Sequence, residues 1–207
     1  MTAVIAIDGP AGAGKSTVAK AIAKRLDWSY LDTGAMYRAV TWLAIQSGVA
    51  LSDDVAVAAL AKGCDLTLLP RVMINDVDVT DEIRRPEVNV GVSTVAALAS
   101  VREEMVRRQR DFAIRQPRGT VVEGRDITTV VFPDATVKVY LTASPDERAR
   151  RRGDEGAASI ARRDHADQHR DVSPLRQAED ALVVDTTGRS VDDIVEEIAS
   201  CVTRNSN

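Results

Sequence analysis

Residues 9 to 17, Gly9-Pro10-Ala11-Gly12-Ala13-Gly14-Lys15-Ser16-Thr17, constrain this chain more than any other stretch. Through Gly9, Gly14, Lys15 and Ser16 they fit the phosphate-loop pattern G-x-x-x-x-G-K-[ST]. The run before them, Val4-Ile5-Ala6-Ile7, is apolar and β-branched, as in a strand covered on both faces of a parallel sheet. After them Val18, Ala19, Ile22, Ala23 and Leu26 recur at helical spacing, with Lys20, Lys24 and Arg25 between. Strand, loop and helix in that order predict an α/β fold with a parallel sheet. Glycines let successive N–H groups converge on one hollow that suits an anion. The positive end of the following helix dipole adds to that field. Lys15 is then placed to reach the β- and γ-phosphates of a nucleoside triphosphate. The Ser16 hydroxyl can ligate Mg²⁺. Thr17 begins the helix.

At 207 residues, 44% hydrophobic and 28% charged, the chain is long enough for a real core and ordinary in composition. No apolar run is long enough to cross a bilayer. Met1-Thr2-Ala3 leads straight into the first strand with no leader-like segment, so a cytoplasmic protein is expected. Cys64 and Cys201 are two isolated thiols rather than a disulfide framework. A net charge of -4 makes no electrostatic case for wrapping nucleic acid. Only five of the 27 basic residues are lysines. Codon bias can account for much of the arginine excess, so location decides which arginines matter. The arginine fork matches phosphate and carboxylate oxygens.

Further strands are expected at Trp28–Leu31, Thr120–Glu123, Val137–Leu141 and Ala181–Val184, which makes five with the first. A helix opens at Asp32-Thr33-Gly34-Ala35-Met36-Tyr37-Arg38, capped by Asp32 or Thr33. Thr33 and Arg38 would then sit near the carboxyl edge of a parallel strand, where α/β sheets bind ligands. Val55–Ala61 reads as a short helix. Residues 65–69, 71–74 and 77–79 read as a small antiparallel meander, punctuated by Pro70 and Asn75-Asp76. Ile83–Pro86 is a connector. Glu87–Ala99 reads as helix, though its valines also suit a strand. Val101–Ile114 is a basic helix with i,i+4 pairs Glu103/Arg107 and Glu104/Arg108. Arg102 lies near its start, against the dipole, which hints at a ligand-facing task. Glu123-Gly124-Arg125-Asp126 forms a polar cluster at a strand's end. Ser144-Pro145-Asp146-Glu147 is a capping box. Gly153–Ile160 has the composition of a mobile loop, Arg162–Arg170 of a basic helix, and Ser190 caps a last helix, Val191–Val202.

Phosphoryl transfer needs positioning and charge neutralisation more than covalent chemistry. Arg125, Arg148, Arg151, Arg152, Arg163 and Arg170 can supply cations if the Gly153–Ile160 loop closes and excludes water. No residue looks like a dedicated base. That leans toward a phosphate acceptor, already an anion, over an alcohol.

Three segments carry a resemblance that covers nearly the whole chain. They are Ile7–Thr17, Leu31–Arg38 and Val122-Glu123-Gly124-Arg125-Asp126-Ile127, joined by Val130–Ala135, Arg162-Arg163-Asp164 and Val172–Leu175. The chain resembles the bacterial cytidylate kinase family of nucleoside monophosphate kinases, its actinobacterial members most. The resemblance implies a P-loop NTPase fold: a five-stranded parallel sheet flanked by helices, a small antiparallel β-containing monophosphate-binding insert at about 63–93, and a short lid at about 148–170. One domain would then have its core in 1–62, 94–147 and 171–207. It implies ATP as donor, CMP or dCMP as acceptor and Mg²⁺ as cofactor, in a monomer with no nucleic-acid or membrane partner. Lys15, Arg125, Arg152 and Arg163 would be catalytic. Gly9 to Thr17 would hold ATP, with Ser16 toward the metal. Thr33, Ser93, Arg102 and Asp126 would meet cytosine. Arg38 and Arg125, with Tyr37 nearby, would hold the acceptor phosphate, and Arg163, Asp167 and Arg170 the sugar and phosphates.

The chain departs from that family in two places. The stretch between Arg152 and Arg163 is short, and Thr128 replaces a usual glycine. His165 and His169, at i,i+4, lack a third ligand and read as a solvated face. Other readings are a small-molecule kinase acting on an alcohol, which wants a base near Arg125, and a GTP-driven switch, which wants an absent N-K-x-D segment. An ABC-type or helicase ATPase wants its own signatures.

Overall fold

The computed structural model describes residues 2–153 and 157–205. The chain divides into two compact units, Met1–Leu31 with Arg110–Asn207, and Asp32–Gln109. The second extends beyond the expected insert of about 63–93 on both sides.

The first unit is built on a sheet in the order β2–β6–β1–β7–β8. Its strands are β1 (Val4–Asp8), β2 (Ser29–Asp32), β6 (Thr120–Glu123), β7 (Val137–Thr142) and β8 (Leu182–Asp185). β1 is central. It pairs in parallel with β6, Ile5 opposite Val121, and with β7, Ile5 opposite Val137. All five residues of β1 are buried, Val4 to Ile7 as their unbroken apolar run requires and Asp8 with them. Helices α1 (Lys15–Leu26) and α8 (Val191–Asn205) pack against one another. Ile22, Ala23, Ile194 and Ile198 join Ile5, Ile7, Val139 and Leu141 in one core. The sheet's order makes the end of β1 the point where chain connections diverge to either side, so the loop after it opens into a crevice.

α6 (Pro145–Arg152) starts on Pro145, with the Ser144 hydroxyl accepting from Glu147 N–H at 3.3 Å. Glu147's carboxylate turns instead to Arg150 and Arg151, so the capping box is half formed. α7 (Ala157–Gln168) begins five residues before the expected Arg162. The loop expected over Gly153–Ile160 is therefore helix from Ala157 onward, because Ala157, Ala158 and Ala161 are strong helix formers and Ile160 is buried. The rest of that expected loop, 154–156, lies outside the described residues.

The second unit carries α2 (Thr33–Gln46), α3 (Asp54–Gly63), α4 (Pro86–Val95) and most of α5 (Ala99–Ile114). The valine-rich segment is thus helix, entered through Pro86. A second sheet runs antiparallel through β3 (Leu66–Thr67), β4 (Met73–Ile74) and β5 (Val77–Asp78). Asn75 and Asp76, at φ 48° and 62°, form the two-residue turn that twisted hairpins favour. Ala35, Ala39, Cys64, Ile74, Val79 and Ile83 close its core. Arg108 of α5 donates to the Ala61, Lys62 and Cys64 carbonyls at the end of α3, where a cation meets the negative dipole end. Glu104 accepts from both Arg107 and Arg108, which hold its carboxyl down at about 2.

Candidate active site

The phosphate loop occupies the turn from β1 into α1. Gly14 caps α1 in the left-handed region, at φ 91°. Pro10, Ala11 and Ala13 are buried, whereas Ser16 and Thr17 are exposed on the first turn of α1. Lys15 Nζ folds back onto the Gly9 and Pro10 carbonyls, at 2.8 and 2.9 Å.

The loop is gripped from several sides. The Asp164 carboxylate, on α7, accepts from the Ala11 N–H at 2.8 Å and pairs with Arg148 of α6. Arg148 also donates to the Ala11 carbonyl at 3.1 Å. Arg151 donates to Thr186, at 2.8 Å to its hydroxyl, and that hydroxyl donates to the Ala13 carbonyl at 3.1 Å. α6 lies so close to Gly12, at φ 78°, that a Cβ there would stand 2.8 Å from the Arg148 carbonyl oxygen.

Arg125 follows β6. Its Nη1 donates to the Gly9 carbonyl, and its Nε lies 2.9 Å from Asp167 Oδ2 on α7. Asp167 also pairs with Arg170 at 3.6 Å. Asp126 is buried, and Arg163 lies on α7, half-buried. Glu123 ends β6 and accepts from the Tyr30 hydroxyl. The first unit thus brings together Lys15, Arg125, Asp167 and Arg170, while the charge of Arg152 acts on Lys15 and that of Asp126 on Asp8.

Burial lowers Lys15 to about 7, with Arg125 and Arg152 adding to the effect while Glu123 and Asp8 oppose it. The depressed ammonium is fully present only below its folded pKa. As pH falls from the ordinary lysine range through about 7, charging Lys15 costs stability. A polyphosphate favours the charged form. Its binding near pH 8 is expected to take up close to one proton. Calorimetry in buffers of different ionisation enthalpy checks this, and binding without proton uptake contradicts it.

The other expected residues lie in the second unit. Asp32, not Thr33, caps α2 by accepting from Ala35 N–H at 2.9 Å. Asp32 also pairs with Arg38 at 3.4 Å. Thr33 and Tyr37 are buried, and Ser93 is half-buried on α4. Arg102 is 3% exposed, an unusual burial for a guanidinium. It stands 5.7 Å from the centre of the Tyr37 ring and donates to the Ala96 carbonyl at 3.2 Å.

Sequence reasoning gave no role to Asp8, Asp164 or Thr186. Asp8 had one signal, a lone carboxylate ending an apolar strand just before the loop. It is fully buried and accepts from Ile127 N–H at 2.9 Å, and from the Thr128 N–H and hydroxyl at 2.7 Å each. Burial pushes its carboxyl up to about 6 against the pull of those donors. Among the described residues no group of His, Cys, Asp and Glu forms a metal cluster. The His165 and His169 rings lie 4.0 Å apart on the surface.

The cytidylate kinase family model matches residues 5–204. A cytidylate kinase of a Geobacillus species (strain WCH70) is 50% identical, over 96% of this chain and 95% of that protein. The cytidylate kinase of Bacillus subtilis is 46% identical over 98% and 97%. A bifunctional pantoate ligase/cytidylate kinase of Trichormus variabilis is also 50% identical, over 94% of this chain, which spans only 40% of that longer protein. Among solved structures, TT1252 of Thermus thermophilus aligns over 100% of this chain and 98% of its own at TM-score 0.57 and 17% identity. Shikimate kinase of Acinetobacter baumannii aligns over 99% and 95% at 0.52 and 16%. Those two likenesses concern the fold alone.

Proposed function

The chain belongs to the cytidylate kinase family, and from that premise we propose that it transfers the γ-phosphoryl group of ATP to CMP and dCMP. Within the molecule, the supporting observation is Arg125, held at once to the Gly9 carbonyl of the phosphate loop and to Asp167. It stands beside Lys15, where charge on a transferring phosphoryl group needs cations.

The loop from Gly9 to Thr17 binds the ATP phosphates through converging N–H groups, and Lys15 swings from the Gly9 and Pro10 carbonyls onto the phosphate oxygens. The exposed Ser16 hydroxyl is a hard oxygen donor at the start of α1, which fits Mg²⁺; the rest of that ion's shell would be phosphate and water. Bound there, the metal neutralises phosphate charge. Arg125, Arg152 and Arg163 meet the charge on the group in flight. Arg38 and Arg125, with Tyr37, bind the acceptor phosphate, while Arg163, Asp167 and Arg170 reach its sugar and phosphate. A phosphate acceptor needs no base. Thr33, Ser93, Arg102 and Asp126 read cytosine, whose amino donor beside N3 and O2 acceptors suits one carboxylate with one cationic donor. Adenine has no O2 acceptor for Arg102.

We propose insert and lid boundaries at about 63–93 and 148–170, and a cytoplasmic monomer without nucleic-acid or membrane partners. No described helix is long and apolar enough to cross a membrane.

Arg102→Ala and Asp126→Ala are each expected to raise KM for CMP by roughly 5- to 150-fold, the loss of about 1–3 kcal/mol for one buried polar contact. KM for ATP should stay within about twofold. Unchanged CMP kinetics in both variants would remove the base-reading assignment. The function itself is tested by ADP release with Mg·ATP and CMP, dCMP, UMP, AMP or GMP offered singly. Turnover concentrated on CMP and dCMP is expected. Release without acceptor marks an ATPase, and silence with all five sends the search to alcohol acceptors.

A further inference from the structure

We infer that Asp8 and Thr128 form a buried clasp that fixes Arg125 against the phosphate loop, which makes both of them positioning residues for phosphoryl transfer. The inference rests on the kinase reading above.

The segment after β6 is stitched to the end of β1 at successive points. Gly124 N–H donates to the Ile7 carbonyl at 2.9 Å, and the Arg125 guanidinium donates to the Gly9 carbonyl. Between those two points Asp8 takes the Ile127 amide on one oxygen, and the Thr128 amide and hydroxyl on the other. The contacts close a ring. It runs from Asp8 to Ile127, back along Asp126 to Arg125, through its guanidinium to Gly9, and so to Asp8 again. Moving any member moves the guanidinium relative to the loop.

The chemistry of Asp8 suits a clasp. Three donors converge on it, and a carboxylate is the one short side chain with acceptors only. An asparagine would turn an N–H₂ group toward one of those donors. Asp8 is fully buried and Thr128 is 1% exposed, so water cannot replace either partner.

The turn that follows is also unusual. Ile127–Val131 is π-helical, with the Val131 amide donating to the Asp126 carbonyl at 3.2 Å and Phe132 to Ile127 at 2.8 Å. Such turns are rare and concentrate at functional sites. Arg110 holds its far end, donating to the Val130 and Val131 carbonyls at 2.9 Å each. With Asp8 on its first amides and Arg110 on its last carbonyls, the turn is fixed at both ends. Asp126 and Arg125 hang from its start.

Thr128→Val keeps the shape and both backbone bonds and removes only the hydroxyl; Thr128→Ser restores the hydroxyl. In the intact enzyme, T128V is expected to lower kcat for CMP about tenfold or more, since small misplacements of a positioned group cost that much. KM for ATP should stay within about twofold, and T128S should recover most of the rate. Amide exchange should quicken both at 124–128 and in the loop at 9–14. Unchanged kcat in folded T128V, a T128S variant as slow as T128V, or faster exchange confined to 127–128 would each overturn the clasp. If the wild-type chain does not phosphorylate CMP, the kinase reading fails separately. The clasp then stands or falls on exchange in the loop.

Discussion

Lys15→Met is expected to lower kcat/KM for ATP by roughly 10³-fold, at the upper end of what one preorganised donor contributes to a transition state. Methionine matches the length of the lysine stem and removes the ammonium. The Lys15 ammonium makes two bonds, both to carbonyls of its own loop, and sits in a place that pulls it down to about 7. A group held against its ordinary ionisation costs stability in its charged form, and such groups concentrate at functional sites. The variant's melting temperature at pH 7 is therefore expected to equal or exceed that of the wild type, and the difference should shrink as pH rises toward the ordinary lysine range. Steady-state kinetics at saturating CMP and a thermal melt across pH 6 to pH 10 check both statements. A strong loss of stability with residual activity intact would reverse the assignment.

The second large effect is structural. Gly9→Ala places a Cβ 2.1 Å from the Leu141 carbonyl oxygen, at a residue whose φ of 150° L side chains rarely adopt. Leu141 lies in β7, opposite Val184 of β8 and next to Tyr140, which pairs with Asp8, so its carbonyl cannot retreat without disturbing the sheet on both sides. Overpacking costs about 1–3 kcal/mol and backbone strain a similar amount. A loss of about 3 kcal/mol or more in urea unfolding is expected, with nucleotide binding lost in whatever remains folded. A variant as stable as the wild type would mean that the loop and β7 yield more readily than their packing suggests.

The parts legible in the sequence are those whose signal is local. Four of the five sheet strands, all but β2 with its Ser29-Tyr30-Leu31-Asp32, are built on valine and isoleucine, the residues that suit a pleated strand. The phosphate loop follows from glycines at fixed offsets, and the cap of α2 from an Asp three residues before an amide it can reach. The π-helical turn was not legible. Ile127-Thr128-Thr129-Val130-Val131 is β-branched throughout and on propensity suits a strand. Its first two amides donate to Asp8, which lies 119 residues away from Ile127 in sequence. Arg102 was suspected from a helix dipole, yet its burial against Tyr37 comes from packing within the second unit. The start of α7 was misread because small residues suit loop and helix alike, and the buried Ile160 helps decide between them. Asp164's hold on the Ala11 amide joins residues 153 positions apart, a contact no pattern announces.

The sheet order also has a consequence in time. β1 sits in the middle of the sheet, but Val4 pairs with Thr120 and Ile5 with Val137. During synthesis the most apolar strand therefore leaves the ribosome with neither neighbour made, and the whole second unit must emerge before the first edge can be closed. Closing so long a loop is slow, and an unpaired apolar strand is the surface on which nascent chains associate wrongly. The second unit, whose small sheet joins residues close in sequence, can settle during that wait. A nascent chain of this protein would thus acquire the segment that carries Arg102 before it owns a phosphate loop in working shape.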